Sequence, residues 1–344
     1  MQSATLKKNT HQQEAALASL RKKYGSSLVV KTSSDYEVIP TGFPSLDHEL
    51  LGGWVKGKFH ELFGPPQSGK TVLAYSSISH AQKSGLICVY IDADGKYSPE
   101  VAAANGVDID SLEVFAPSTA EEAFNITLHA VQSGVGFVVI DSVASLVPKK
   151  IYADASIGAF GDLDLDQNDM ELARVSSLAL RFIRPLLQAK EATVLLCNQS
   201  RSRVVDVFGG AQNKDGGASV IDRIMTTATP GGEYIKSVSS SRVELKLASS
   251  PQVKHVSAQS HVSVVQSQLT RPGAVDSVLL PMRLSRLLVE VDVLTLAVRT
   301  GVVEVDKGSY RFADKVLGGN YNAALKTLTV NASVLEQMLC EVKK

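Results

Sequence analysis

Gly64-Pro65-Pro66-Gln67-Ser68-Gly69-Lys70-Thr71 fits the phosphate-loop pattern G-x-x-x-x-G-K-[ST] at every fixed position. An apolar run with strand character, Phe59 to Phe63, precedes it, and a helix-like segment from Val72 to Lys83 follows and stops at Gly85. A loop held between strand and helix aims successive backbone N–H groups, and the positive end of the helix dipole, at one anion. Lys70 is then placed to reach the β- and γ-phosphates as a point charge, and the Thr71 hydroxyl to ligate Mg²⁺. The chain is expected to bind a nucleoside triphosphate. Phe137-Val138-Val139-Ile140-Asp141-Ser142 reads as a buried strand ending in an aspartate that can hold the water shell of Mg²⁺ beside that loop. A further apolar strand, Thr193 to Cys197, ends in Asn198-Gln199. It puts the Gln199 amide at the sheet edge where open α/β folds bind ligands, within reach of a γ-phosphate.

Strands and helices alternate to position these groups. Leu86 to Asp92 reads as strand, Pro99 to Ala104 as helix and Leu112 to Ala116 as strand; Thr119 to Gln132 reads as a helix opened by a capping box, Ser118-x-x-Glu121. Such alternation, with strands apolar on both faces, predicts an α/β core with a mostly parallel sheet covered by helices. Residues 5–24 read as a helix and 26–31 as a short strand, an arm with too little apolar surface to fold alone. Two long segments interrupt the core, about 149–170 and 200–231. The first carries Gly158, Gly161 and the acidic run Asp162, Asp164, Asp166, Asp169, and it enters a helix bearing Arg174, Arg181 and Arg184. The second carries Arg201, Arg203, Phe208, Gly209-Gly210, Lys214, Gly216-Gly217 and Arg223. Loops this long are expected to be functional or disordered, and basic residues with an aromatic and glycines suit a grip on a nucleic-acid backbone. After strands near 243–247, 262–266 and 275–280 comes a small α/β unit, with a helix from Leu287, a hairpin around Lys307-Gly308-Ser309 and two helices to Lys344.

The 344 residues are 44% hydrophobic, enough for a sizeable core, and no apolar run is long enough to span a membrane. The N-terminus lacks the apolar stretch of a signal peptide, so a cytoplasmic protein is expected. Cys88, Cys197 and Cys340 are widely spaced, which points to reduced thiols and not to a disulfide or metal cluster. Thirty-five basic residues balance 35 acidic ones, so a nucleic-acid contact must come from local clusters.

Taken in order, several stretches resemble the bacterial RecA recombinases. They are Lys22-Lys23-Tyr24-Gly25-Ser26, Ile39 to Asp47, Gly53-Trp54-Val55-Lys56-Gly57-Lys58, Ile91-Asp92-Ala93-Asp94, Gly106 to Asp110, Val139 to Lys149, Asn198-Gln199-x-Arg201, and Asp292 to Ala297 through Gly318-Gly319-Asn320. The likeness spans nearly the whole chain. It implies an N-terminal oligomerisation arm (1–32), a RecA-like ATPase core (33–285) with two DNA-binding loops, and a C-terminal domain (286–344). It also implies an ATP- and Mg²⁺-dependent protein that polymerises as a helical filament on single-stranded DNA, pairs it with homologous double-stranded DNA and exchanges strands in repair and the SOS response. ATP would sit between subunits. Arg174 and Arg181 would serve the first DNA loop, and Arg201, Arg203 and Phe208 the second, closed by Gly231-Gly232. Lys236 would match an interface lysine, and Asp94 would stand where the family places the glutamate that activates water.

This chain departs from the family at the phosphate-facing interface. Asp94 is one methylene shorter than glutamate, and a misplacement on the order of 1 Å can cost about 10²-fold in rate. Val101 stands where the family has an adenine-stacking tyrosine. Gln266 and Gln268 stand where two lysines reach the neighbour's phosphates, and a neutral amide cannot stabilise transition-state charge as a cation does. A divergent recombinase, phage-encoded or a paralogue, with secure ATP binding and slow or altered hydrolysis is therefore expected. An accessory filament-forming paralogue without strand exchange is the alternative, and a ring-forming ATPase on the same core a third reading.

Overall fold

Four runs that read as doubly buried strands do form the middle of the molecule, in a computed structural model that describes residues 18, 19, 22, 23, 36–151, 165–212, 218–248, 258–269, 278–283 and 285–342. The chain divides into two compact units, Met1–Glu37 and Val38–Lys344, and every described strand belongs to the second. Of the helix expected over residues 5–24, residues 18, 19, 22 and 23 are described and helical; the rest of that helix, the strand expected at 26–31, Gly158, Gly161, Asp162, Asp164, Lys214, Gly216 and Gly217 lie outside the described residues. For Asp166, Arg203, Phe208, Gly209, Gly210 and Arg223 only the backbone is described.

The second unit begins with a two-stranded ribbon, β1 (Val38–Ile39) and β2 (Trp54–Val55), around the short helix α1 (Pro44–Glu49). The core then runs β3 (Phe59–Gly64), α2 (Lys70–Lys83), β4 (Cys88–Asp92), α3 (Pro99–Ala104), β5 (Glu113–Phe115), α4 (Ala120–Gln132), β6 (Phe137–Asp141), α5 (Leu165–Lys190) and β7 (Thr193–Gln199). Next come β8 (Arg201–Gln212), β9 (Ala218–Ala228), α6 (Glu233–Val238), β10 (Ser239–Leu247), β11 (Ala258–Ser267), β12 (Val278–Arg283) and β13 (Arg286–Leu287). The chain closes with α7 (Val289–Arg299), β14 (Val303–Asp306), β15 (Ser309–Phe312), β16 (Lys315–Gly318), α8 (Tyr321–Val330) and α9 (Ala332–Val342).

The main sheet has the order β13-β12-β11-β10-β3-β7-β6-β4-β5. From β10 to β5 every neighbouring pair is parallel, whereas β11, β12 and β13 join antiparallel. The parallel part needs helices on both faces, and the apolar side chains of β3, β4, β6 and β7 accordingly divide between two buried clusters, one on each side. Because successive strands cross over through helices, the C-terminal ends of β3, β4, β6 and β7 lie along one edge, where Gly64, Asp92, Asp141 and Gln199 arrive together.

Two expectations change. The segment 200–231 is not an extended loop: β8 and β9 form an antiparallel hairpin, in one register from Arg201↔Ala228 to Val207↔Asp222 and shifted beyond Val207 and again before Gln212↔Ala218. The β-branched content of the two runs, Val204, Val205 and Val207 in one and Val220, Ile221 and Ile224 in the other, is the β-forming signal that the glycines and arginines obscured. The helix after β5 is capped one residue later than the Ser118-x-x-Glu121 box predicts. Thr119 accepts from Glu122 N–H at 3.3 Å, and Glu122 reaches back to Ser118 N–H at 2.8 Å. The turn at Lys307-Gly308 is as expected, with φ of +46° and +85°, the pair of positive values that a two-residue hairpin turn requires.

Helix α7 and the strands that follow surround a third apolar cluster built from Val293, Leu296, Phe312, Leu328 and Met338 among others. This cluster is joined to the core through buried polar atoms: Ser45 at the start of α1 gives both its backbone N–H, at 2.9 Å, and its hydroxyl to Asp292. Burial pushes the Asp292 carboxyl up to about 7, against the Ser45 bonds that pull it down. An unfolded aspartate titrates near 4, so the folded protein holds the proton more tightly. The stability Asp292 contributes is complete below about pH 4 and is lost as pH rises towards about 7. Asp292→Asn, which keeps an acceptor for Ser45, is expected to abolish this part of the pH dependence, read as the difference in urea midpoints between wild type and variant from pH 4 to pH 7.

Candidate nucleotide site and a second cleft

At the C-terminal edge of the sheet the chain leaves β3 and turns through Gly64 to Gly69 into α2. Gln67 and Gly69 adopt positive φ, +62° and +91°, which turns successive N–H groups of the loop inward. A Cβ at Gly69 would also stand 2.7 Å from Met282 Sδ, so the Met282 side chain would have to move aside. Pro66, Gln67, Ser68, Gly69, Lys70 and Thr71 line a cleft of about 730 Å³ together with Asp94, Lys96, Asp141, Ser142, Gln199 and Met282. Gly64 and Pro65 sit behind it, where their carbonyls accept from Lys70 Nζ at 3.0 and 2.8 Å. Burial lowers the Lys70 ammonium's affinity for its proton, and the nearby acidic groups work against that effect.

Thr71 Oγ1 donates to Asp141 Oδ2 at 2.7 Å, and Tyr90 OH donates to the same oxygen at 3.0 Å. Burial raises the Asp141 carboxyl's pKa, and these two hydroxyls oppose it. A cation placed there would favour the ionised form. Asp94 lies across the cleft, where Oδ1 accepts from Ser142 Oγ at 2.9 Å and from Ser145 Oγ. Among the described residues no group of three or more acidic, histidine or cysteine side chains could hold a metal unaided. The donor set nevertheless fits Mg²⁺ brought with a triphosphate, which needs one or two protein oxygens and keeps its waters. A second observation supports the fit: Ser68 Oγ is buried in the loop and has no hydrogen-bond partner among the described residues. Lys70, Thr71, Asp141 and Ser68 are thus arranged as a polyanion and its cation would need.

Of the residues expected to face DNA, three come together elsewhere, with the expected interface lysine Lys236. Arg201, Gly231, Gly232 and Lys236 line a second cleft of about 490 Å³ with Asp169 and Thr229. Arg201 pairs with Asp169 at 3.4 Å and so ties the base of β8 to the start of α5. Lys236 belongs to this cleft and not to the phosphate-loop cleft of its own chain, and it pairs with Glu233 at 2.5 Å. Arg174 is exposed on α5 and pairs with Glu171, while the Arg181 guanidinium lies 5.1 Å from the centre of the Tyr234 ring on α6. Arg203 and Phe208 stand on β8, where the backbone alone is described.

Gln266 and Gln268 are held by their own sheet. Gln266 Nε2 donates to Ser239 O at 3.2 Å, and Gln268 Oε1 accepts from Ser240 Oγ at 3.2 Å. Val101 packs half-buried against the core and does not line the phosphate-loop cleft. Sequence reasoning missed a buried chain of contacts behind the loop. Arg242 Nε donates to Glu61 Oε2 at 2.5 Å, and Asn198 Nδ2 bridges Glu61 Oε1 at 3.0 Å and Pro230 O at 2.9 Å. A charged residue inside the apolar strand Phe59–Gly64 was the available signal.

A parallel sheet whose central strand enters a phosphate loop, with Asp141 two strands away bonded to the loop's threonine, defines a P-loop nucleoside triphosphatase core of the RecA-like kind. The RecA N-terminal domain family matches residues 11–279, and the chain belongs to the RecA family. Protein RecA of Tropheryma whipplei is 31% identical over 338 residues, which cover 94% of this chain and 71% of that protein. Protein RecA of Saccharopolyspora erythraea is 32% identical over 342 residues, 96% of this chain and 91% of that protein. The corresponding protein of Symbiobacterium thermophilum is 36% identical over 271 residues, 75% and 70% of the two chains. Cys88 and Cys197 are buried free thiols and Cys340 an exposed one, and no described helix is long and apolar enough to cross a membrane.

Proposed function

We propose that this protein is an ATP-dependent recombinase that binds ATP with Mg²⁺, polymerises on single-stranded DNA and pairs it with a homologous duplex in the cytoplasm, with slow hydrolysis. The observation that carries the reading is the Thr71–Asp141 hydrogen bond beside Lys70 in a member of the RecA family. In this reading Lys70 and the loop amides hold the phosphates, and Thr71 and Asp141 hold Mg²⁺ through its water shell. Gln199 reports the γ-phosphate, and Asp94 takes a proton from the attacking water. Bound Mg²⁺ supplies charge neutralisation on the phosphates. Arg174, Arg181, Arg201, Arg203, Phe208 and the Gly231-Gly232 turn grip the DNA backbone, leaving bases free to pair. Residues 1–32 serve as the arm for self-association and residues 286–344 as a separate C-terminal domain.

Phosphate release with and without single-stranded DNA, with Lys70→Ala as the blank, tests the reading. Asp94→Glu is expected to raise turnover on the order of 10-fold by restoring the reach of the base. Vigorous DNA-stimulated turnover that Asp94→Glu does not increase would overturn the slow-hydrolysis part. A second reading, an accessory filament-former without strand exchange, is favoured by Gln266 and Gln268, whose amides are engaged by β10 and carry no charge to a neighbour's phosphates. Strand-exchange assays with ATP and with a slowly hydrolysed analogue separate the two.

A further inference from the structure

One carboxylate oxygen in the phosphate-loop cleft is crowded with donors. Asp94 Oδ1 accepts from Ser142 Oγ at 2.9 Å and from Ser145 Oγ, and the two hydroxyl oxygens stand 3.1 Å apart. The arrangement follows from local structure. After β6 the chain makes a single 3₁₀ turn, Val143–Ser145, in which Ser145 N–H donates to Ser142 O at 3.1 Å. Ser142 precedes the turn in extended backbone, and the Ser145 N–H bond to its carbonyl folds Ser145 back so that the two hydroxyls stand together. The loop after β4 carries Asp94 to them. It is fixed by Asp92, whose carboxylate accepts from the N–H groups of Lys96 at 3.0 Å and Tyr97 at 2.8 Å, and by Ala93 N–H on Asp141 O at 2.8 Å.

A carboxylate offers about four acceptor positions on its two oxygens. Here two hydroxyls occupy one oxygen, and Lys96 Nζ stands 3.4 Å from the other. Lys70 and Asp141 are the remaining charged side chains of the cleft. Donors that favour the ionised form weaken the group as a base. Burial alone pushes the Asp94 carboxyl up, but Ser145, Ser142 and Lys96 outweigh it and hold it below the ordinary aspartate value. Geometry acts in the same direction. A base must come within about 2.6–3.2 Å of the proton it takes, and a short side chain tied back onto a turn has little reach.

We propose that Ser145 is a positioning residue that draws Asp94 back onto the turn after β6 and so slows nucleotide hydrolysis. This rests on the proposed role of Asp94 as the water-activating group. Ser142 adjoins Asp141 and has a part in holding the site, whereas among the described bonds the Ser145 hydroxyl serves only this cluster. Slow turnover would then have two additive sources, the missing methylene and the tether.

The test uses the full-length protein with Ser145→Ala and Ser145→Thr. It compares kcat and KM for phosphate release, the Kd of a fluorescent ATP analogue, and the pH titration of the ¹³C-labelled Asp94 carboxyl in nucleotide-free protein, assigned with Asp94→Asn. Ser145→Ala is expected to raise kcat about 3–10-fold at unchanged nucleotide Kd and to move the Asp94 titration to higher pH. Ser145→Thr, which keeps the hydroxyl, should match wild type in all three. An Asp94 titration that does not move in Ser145→Ala overturns the proposal, as does a kcat that stays level or falls while the nucleotide Kd is unchanged. If Asp94→Asn hydrolyses as fast as wild type, the assignment of Asp94 as base fails on its own. The carboxyl titration then decides whether Ser145 holds Asp94.

Discussion

Lys70→Ala is expected to lower hydrolysis by about 10²–10³-fold, the cost of removing one preorganised donor aimed at developing charge in a site that excludes water. The Lys70 side chain is 7% exposed, and its ammonium is held by the carbonyls of Gly64 and Pro65, inside the curve of the loop. It needs little reorganisation to meet a phosphate there, and burial has already removed most of its water. The same burial makes the isolated cation expensive, so a bound polyanion recovers part of that cost and Lys70→Ala should also weaken nucleotide binding. Phosphate release and titration of a fluorescent ATP analogue measure the two effects. A variant that binds and hydrolyses within a few-fold of wild type would remove Lys70 from the mechanism. A variant that loses hydrolysis but keeps affinity would place its action in the transition state alone.

The second large effect concerns stability. Glu61→Ala is expected to cost about 3–5 kcal/mol, because it leaves the Arg242 guanidinium in the sheet interior without its counter-charge. The Glu61 side chain is 0% exposed and that of Arg242 11%, and the guanidinium also lies 4.7 Å from the centre of the Phe63 ring. Asn198 would lose one of the two acceptors of its Nδ2 at the same time, keeping Pro230 O, and the amide whose Oδ1 accepts from Gln199 N–H would be less firmly held. Removing both charges is different: Glu61→Leu with Arg242→Met replaces a buried pair by apolar volume and should recover much of the loss. Urea unfolding of the single and double variants, with unchanged slopes, gives the comparison. A Glu61→Ala midpoint equal to wild type would mean that water reaches Arg242. If the double variant folds well yet loses DNA-stimulated turnover, the Glu61–Asn198–Pro230 chain links the hairpin base to Gln199 as well as holding the sheet.

The first of these expectations rests on the part of the molecule where sequence was most legible. The phosphate loop was readable because its chemistry demands fixed residue types at fixed spacing. Asp141 and Gln199 were readable because apolar strands ending in polar residues must deliver them to the same sheet edge. The hairpin of β8 and β9 was harder, since glycines and arginines interrupt the valines and isoleucines that give it β propensity. The pairing of Glu61 with Arg242 could not be read at all. The two residues are 181 positions apart and become neighbours only because β10 adds in parallel beside β3.

By itself the sequence determined that this chain carries a triphosphate cradle on an α/β core with the order of parts of a RecA protein. Local propensities and motif spacing are short-range properties, and they suffice for that. The tertiary structure alone decided how the cradle is furnished. It put Tyr90 on Asp141, Ser145 on Asp94 and Met282 against Gly69, and it turned Gln266 and Gln268 onto β10. Each of those contacts joins segments that strand order brings together, and strand order is fixed by burial across the whole sheet.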